Sequence, residues 1–101
     1  MSLLSSFTFN VNFSHALLFE QKLKTEFLPK LDLGSAIEEI KTYKLLTEIE
    51  NGGQTYSVQL VFADEMAFRL FEINQKENFL NEILTAFEGQ AVYFETLLEK
   101  L

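Results

Sequence analysis

Apolar and polar residues alternate strictly near the beginning of the chain. A period of two residues is typical of a β-strand with one buried face. The alternation predicts a strand over residues 7–14. The residues that we expect to face the core are Phe7, Phe9, Val11 and Phe13.

Two later stretches change to the spacing of three and four residues that is typical of an amphipathic helix. The first begins after the expected N-cap Ser14 and ends before Pro29. The second begins after the expected N-cap Asp64 and ends before Gly89, with a kink expected at residues 74–75. The apolar stripe of each helix predicts one buried face.

A β-hairpin is expected around the dipeptide Asn51-Gly52, because a type I′ turn needs a positive φ at both central residues. Alternating residues predict its strands over 43–49 and 54–62, and a two-residue loop puts the large apolar residues on one face. The expected pairs are Tyr43 with Leu60, Leu45 with Val58 and Thr47 with Tyr56. Residues 36–40 are also compatible with a helical turn.

The last stretch, residues 90–101, is expected to form a fourth strand with Val92, Phe94 and Leu98 facing the core, although residues 95–100 also contain good helix formers. The predicted order is therefore β–α–β–β–α–β. In a split βαβ arrangement, this order gives an α+β sandwich with a four-stranded antiparallel sheet and both helices on one face. This is the ferredoxin-like fold. The expected strand order is 4-1-3-2, in a single domain over residues 1–101.

The composition fits a folded domain and restricts its partners. The 101 residues are 48% hydrophobic and include 11 Phe but no Trp, so phenylalanine must supply most of the bulky core packing. Fifteen acidic residues against eight basic ones leave a net charge of −7. Because an acidic surface repels phosphate groups, we expect neither nucleic acid nor an anionic membrane as a partner.

Cysteine is absent, which removes disulfides, thiolate nucleophiles and cysteine-ligated metals. Residues 1–19 carry no Lys, Arg, Asp or Glu, but polar residues interrupt their apolar run, so a signal peptide or membrane anchor is not expected. We therefore expect a cytoplasmic protein. The only histidine, His15, has no second histidine to share a metal, and no phosphate-binding glycine motif is present. We expect no catalytic residue, no metal site and no cofactor.

The hairpin string EIENGGQTYSVQ, residues 48–59, resembles a family of short bacterial proteins of unknown function. Their shared pattern is an acidic residue followed by Gly-Gly-x-Thr-Tyr-Ser-Val-Gln. A strand similar to residues 10–12 and a helix end similar to residues 26–29 precede it, so the resemblance spans nearly the whole chain. Members often carry His at the position of Phe27 and Trp in the first helix, and this chain has neither. The resemblance implies a ferredoxin-like fold and no particular activity.

The sheet face away from the helices carries the candidate binding residues. If the phenylalanine-rich face packs under the helices, the opposite face mixes polar with apolar side chains, which suits a sheet-to-sheet interface or a ligand cavity. An RNA-binding sheet would instead present stacking aromatics and basic residues there. The candidate ligand-binding or dimer-interface residues are Asn10, Asn12, Leu46, Ser57, Gln59, Val61, Tyr93, Glu95 and Leu97.

Three classes of function stay open, in order of preference. The first is a structural or interaction module that acts as a homodimer or with a protein partner, because the apolar residues of the open face would otherwise be exposed. The second is a small-molecule binder that uses a cavity between two sheets. The third is a cofactor-independent enzyme of the dimeric α/β-barrel type, with Tyr93 and Glu95 as the candidate proton donors.

Overall fold

A computed structural model describes residues 2–31, 36–47 and 52–101 of the chain. Its strands and helices in chain order are β1 (Leu3–Asn12), α1 (Phe13–Lys22), β2 (Ile37–Lys44), β3 (Gly53–Phe62), α2 (Glu65–Phe71), α3 (Glu77–Ala86) and β4 (Ala91–Glu99). A π-helical turn and a 3-10 turn, Leu23–Phe27 and Leu28–Lys30, extend α1, and a second π-helical turn, Glu72–Lys76, joins α2 to α3. Two long helical segments therefore accompany four strands, as the ferredoxin-like order predicts.

The four strands form one antiparallel sheet in the order β2-β3-β1-β4. This order confirms the predicted 4-1-3-2 arrangement, with the first and third strands at the centre. Both helical segments pack their buried residues onto the same face of the sheet. The ferredoxin-like fold expected from the sequence is therefore the fold of this chain.

The central strands bury the residues that their alternation predicted. Phe7, Phe9 and Val11 of β1 are fully buried, and Phe9 pairs with Tyr56 of β3 across the sheet. Strand β1 begins earlier than expected, at Leu3, and ends at Asn12. The prediction that Phe13 is an inward strand residue is wrong, because Phe13 begins α1 and is exposed.

The first helix buries the expected stripe of Phe19, Leu23 and Phe27. Its N-cap residue is Asn12 rather than Ser14, because the chain leaves the sheet two residues earlier than the sequence suggested. The missing N–H of proline is tolerated in the first turn of a helix. Pro29 accordingly lies at the start of the 3-10 turn, and the helical segment ends after it, where Leu31 becomes extended.

The second helical segment begins as predicted, with the Asp64 carboxylate accepting a hydrogen bond from the N–H of Ala67 at 2.9 Å. The π-helical turn falls on the residues where a kink was expected. The stripe predicted for the start of this segment, Met66, Ala67, Leu70, Phe71 and Ile73, is partly wrong. Phe71 is buried, and so is Phe68, which the prediction left out, whereas Met66, Leu70 and Ile73 are exposed. Of the stripe predicted for α3, Phe79, Leu80 and Ile83 are buried and Leu84 is partly exposed.

The predicted register of the hairpin is wrong. Tyr43 pairs with Ser57 instead of Leu60, which is a shift of three residues along β3. An odd shift moves every side chain to the other face of the sheet. The physical reason is a β-bulge at Glu38, which lets Ile37 and Ile40 both face the core, opposite Phe62 and Leu60. Residues 37–40 are thus strand rather than helical turn.

The connection between β2 and β3 is longer than the two residues that were predicted, since β2 ends at Lys44 and β3 begins at Gly53. Gly52 has the expected positive φ of 78°. Asn51, the other central residue of the predicted turn, lies outside the described residues, as do 48–50.

Strand β4 also faces the opposite way from the prediction. It pairs Tyr93 with Phe9 and Glu95 with Phe7, and both partners point to the helices. Val92, Phe94 and Leu98 are therefore on the open side. Both faces of β4 carry apolar residues, so alternation alone does not decide between them.

None of the described helices is long and apolar enough to cross a membrane.

Candidate functional site

The open face, meaning the sheet face away from the helices, is organised in rows that cross all four strands. In one row Tyr43 pairs with Ser57, Ser57 with Thr8, and Thr8 with Phe94. In the next row the N–H of Leu45 donates to the carbonyl of Thr55 at 2.9 Å, Thr55 pairs with Asn10, and Asn10 pairs with Val92. Each row places two polar residues between two apolar ones.

These two rows form a trough of about 590 Å³ on the open face. Its floor consists of the short polar side chains of the central strands, Thr8, Asn10, Thr55 and Ser57. Its walls are the large apolar side chains of the edge strands, Tyr43, Leu45, Val92 and Phe94. The walls stand in solvent, with 53% of Tyr43 and 62% of Phe94 exposed. The trough has the size of a small-molecule site, polar at the bottom and apolar at the sides.

Hydrogen bonds occupy part of the trough floor. The Asn10 amide donates to the Thr55 hydroxyl at 3.2 Å. The Ser57 hydroxyl receives a hydrogen bond from Gln59 and lies 3.3 Å from the Ser6 hydroxyl. The Thr8 hydroxyl has no hydrogen-bond partner among the residues that the structure describes. Two hydroxyl hydrogens, those of Thr8 and Thr55, are therefore free to point into the trough.

Five of the candidate residues named from the sequence lie on the open face, and two of them, Asn10 and Ser57, line the trough. Asn12 is beyond one end and donates its amide to Gln90 at 2.8 Å. Gln59 and Val61 continue β3 toward the other end, where Val61 pairs with Leu4. All five come from the central strands, whose alternation fixed their faces.

The other four candidates do not lie where the sequence placed them. Tyr93, Glu95 and Leu97 are on the helix side of β4, because their cross-strand partners Phe9, Phe7 and Ser5 point to the core side. Tyr93 nevertheless also borders the trough. Leu46 follows the end of β2 and is 87% exposed. The edge-strand residues that face the trough from the open side are instead Tyr43, Val92 and Phe94.

The trough walls were not predicted, because the faces expected for both edge strands are the opposite of the observed ones. Tyr43, Leu45, Val92 and Phe94 were all expected in the core. A signal for β2 was present in the spacing of Ile37 and Ile40, which a bulged strand brings to one face. No comparable signal distinguishes the two faces of β4.

Glu95 instead belongs to an ion-pair cluster on the helix side. Its carboxylate accepts a hydrogen bond from the fully buried Ser5 hydroxyl at 2.7 Å and forms an ion pair with Lys76. Burial acts to lower the pKa of Lys76, but its contacts with Glu95 and Glu72 outweigh burial and raise that pKa. A depression of about 340 Å³ lies beside this cluster and Tyr93. Both carboxylate oxygens of Glu95 are engaged, so the cluster ties β4 to the π-helical turn.

His15 makes only a local contact, with its Nδ1 2.8 Å from the hydroxyl of Ser14. Within the described ranges, no three His, Cys, Asp or Glu residues come together in a way that could hold a metal ion. The open face is therefore the candidate functional site.

The fold and the trough define a class of protein, a ferredoxin-like domain with an uncovered, apolar-walled sheet face. Within that class, residues 2–101 match the family model described as a domain of unknown function (DUF4286). The chain belongs to this family. Among curated proteins, none matches this sequence.

Several solved structures share the fold. A dimeric ferredoxin-like protein from an uncultured marine organism is similar with a TM-score of 0.71 at 11% identity, covering 99% of this chain and 98% of the other. A variant of SnoaB, a cofactor-independent oxygenase from Streptomyces nogalater, has a TM-score of 0.62 at 19% identity, covering 98% and 92%. HapK from Hahella chejuensis has a TM-score of 0.65 at 18% identity, covering 100% and 93%. At these identities the likeness extends to the fold and not to activity.

Proposed function

We propose that this protein is a non-catalytic interaction module that works as a homodimer, with two copies packing their open faces together. The observation that carries the proposal is the pair of apolar walls on the open face. An uncovered sheet face with large apolar side chains is typical of an interaction site. A face that packs against its own copy forms a closed two-fold dimer.

The charge distribution favours a second copy as the occupant of this face. The chain has a net charge of −7, which opposes association wherever acidic surfaces meet. On the open face, however, the charged β2 residues Glu38, Glu39 and Lys41 lie beside Val61, at the end away from the trough, and the side chains of Glu39 and Lys41 pair at 3.8 Å. The described lining of the trough contains no acidic residue, so two troughs can approach each other without acidic side chains meeting there.

Two further observations support an interaction role. One of the structurally similar proteins is described as dimeric, which agrees with self-association of this fold. The carboxylate of Glu95, one of the two proton donors considered for an enzyme, is already held by Ser5 and Lys76. These contacts leave Glu95 without a free carboxylate oxygen for proton transfer, which supports the non-catalytic alternative.

Light scattering on the purified chain tests the proposal. We expect the wild type to have the mass of two chains. Phe94→Lys places a charge in the wall of the trough and is expected to give the mass of one chain, because an unpaired charge is costly to bury. The matched control is Ile73→Lys in the π-helical turn after α2, where the side chain is 79% exposed and away from the open face. This control should remain a dimer.

Circular dichroism confirms that each variant is folded before its mass is interpreted. A monomeric wild type would contradict the proposal. So would a dimer that survives Phe94→Lys but dissociates on Ile73→Lys. That result would assign the interface to the exposed stripe that Met66 and Leu70 of α2 form with Ile73 of the following π-helical turn.

A further inference from the structure

The trough keeps an internal space when a second sheet covers it. Stacked sheets lie about 10 Å apart, a gap that facing large side chains fill and short ones do not. The walls, Tyr43 and Phe94 among them, are long enough to meet a covering sheet, whereas the floor consists of threonine, serine and asparagine. The wall-to-wall distance is about 14 Å between the backbones of Tyr43 and Phe94, since they lie three strand spacings apart. This enclosed form of the trough rests on the proposed dimer.

An enclosed polar floor needs hydrogen-bond partners. The hydroxyl of Thr8 has none within the described part of the chain, and the hydroxyl of Thr55 accepts from Asn10 but still has its own hydrogen to donate. Buried hydroxyls without partners are unfavourable, so water or a ligand must accept from them. The complementary ligand group is an acceptor oxygen placed between two donors.

The lining of the trough also selects the charge and shape of the ligand. Among the described residues that line the trough, the only charged side chain is that of Lys44, and its Nζ lies 3.5 Å from the Glu20 carboxylate on the helix side. A charged ligand would therefore find no unpaired counter-ion among these lining residues. The rings of Tyr43 and Phe94 on opposite walls favour contact with a flat aromatic surface.

We propose that the trough binds an uncharged, planar aromatic molecule that carries a carbonyl or ether oxygen, with the oxygen on the hydroxyls of Thr8 and Thr55. Thr8 is central to the site, because the row of paired residues that contains Thr8 has the aromatic walls Tyr43 and Phe94 at its two ends. The site is a binding site, with no chemical step assigned to it.

Fluorescence titration with prodan, an uncharged naphthalene dye with a ketone oxygen, tests this site. We expect saturable binding with a blue shift in emission. Thr8→Val keeps the size and β-branching of the side chain but removes the hydroxyl, and we expect about fivefold weaker binding, the loss of one neutral hydrogen bond. The matched control is Thr96→Val, on the open face but outside the trough, with no change expected.

The mass of each sample, measured in parallel, separates this inference from the proposed dimer. A dimeric wild type that does not bind prodan, or binds it equally well after Thr8→Val, overturns the ligand site and leaves the dimer standing. A monomeric wild type with Thr8-dependent prodan binding overturns the dimer and supports the ligand site. Equal, Thr8-dependent binding of the anionic dye anilinonaphthalene sulfonate would overturn the assignment of an uncharged ligand.

Discussion

At the scale of single residues, the Tyr56 hydroxyl connects the sheet to the first helix. It donates a 2.6 Å hydrogen bond to the carboxylate of Glu20. Lys44 lies 3.5 Å from the same carboxylate. The hydrogen bond from Tyr56 is the main cause that holds the pKa of Glu20 below its usual range, with Lys44 adding to the effect. Burial and the nearby carboxylate raise the pKa of Tyr56.

These shifts predict a pH-dependent contribution to stability. Because the pKa of Glu20 is lower in the folded chain, its contribution is complete above the usual value of 4.5 and is lost as the pH falls through the folded pKa. Glu20→Gln should therefore lower the free energy of unfolding at pH 7, and the difference from wild type should shrink below about pH 4.5. Urea unfolding at several pH values measures this.

The control for this prediction is Glu26→Gln, because the one ion pair of the Glu26 carboxylate within the described chain is with Lys22, one turn earlier in the same helical segment, and both side chains are partly exposed. An exposed pair of this kind contributes about 0.5 kcal/mol or less, so little change is expected at any pH. If the effect of Glu20→Gln were the same at pH 7 and at pH 3, the assigned role of the Tyr56 hydrogen bond would be wrong.

At the scale of elements, the start of β3 shows how closely two strands approach. Gly53 pairs with Asn12, and a Cβ atom at Gly53 would lie 2.6 Å from the carbonyl oxygen of Val11 and from the side-chain oxygen of Asn10. Backbone atoms in a paired strand cannot yield easily, so only glycine fits here. By contrast, Gly52 has a positive φ but open space around it.

Gly53→Ala is expected to destabilise the chain by about 1–3 kcal/mol, the usual penalty for forcing extra atoms into a packed site. Gly52→Asn is the control, because asparagine tolerates positive φ and meets no neighbour; we expect a loss below about 1 kcal/mol. Thermal and urea unfolding of both variants give the comparison. Equal losses would mean that the close approach at Gly53 relaxes without strain.

At the scale of the whole molecule, phenylalanine rings hold the helical layer to the sheet. Phe9 of β1 lies at the centre of this core, with its ring 5.4 Å from that of Phe19 and 5.8 Å from that of Tyr93. Phe19 in turn contacts the ring of Phe87 after α3 at 5.3 Å. A chain without tryptophan thus obtains its bulk from neighbouring rings contributed by β1, α1, β4 and the residue that follows α3.

Phe9→Ala should lower the free energy of unfolding by about 3–5 kcal/mol, because it removes a fully buried ring and leaves a cavity. Phe13→Ala is the matched control, since 65% of Phe13 is exposed, and its effect should stay within about 0.5 kcal/mol. Denaturant titration measures both. A loss below about 1 kcal/mol for Phe9→Ala would show that the core closes around the missing ring.

The sequence by itself determined the order of elements and the faces of the central strands. The alternation in β1 and β3 has only one reading, because their apolar residues, apart from the cross-strand pair Leu4 and Val61, fall on the core side, as Phe9 and Val58 illustrate. The helix stripes around Phe19 and Ile83 are equally clear. These local periods were sufficient for the fold class, the strand order and the polar floor of the trough.

Only the tertiary structure decided how the edge strands face. An edge strand pairs on one side only, and both faces of β2 and β4 carry apolar residues, so local alternation leaves two registers open. Packing of Ile37 and Ile40 against the core selects the register of β2 through a bulge. The hydrogen bond from the buried Ser5 hydroxyl to the Glu95 carboxylate is formed in the observed register of β4. The facing of the trough walls, such as Tyr43 and Phe94, therefore depends on contacts between residues that are far apart in the chain. A local sequence pattern carries no information about such contacts.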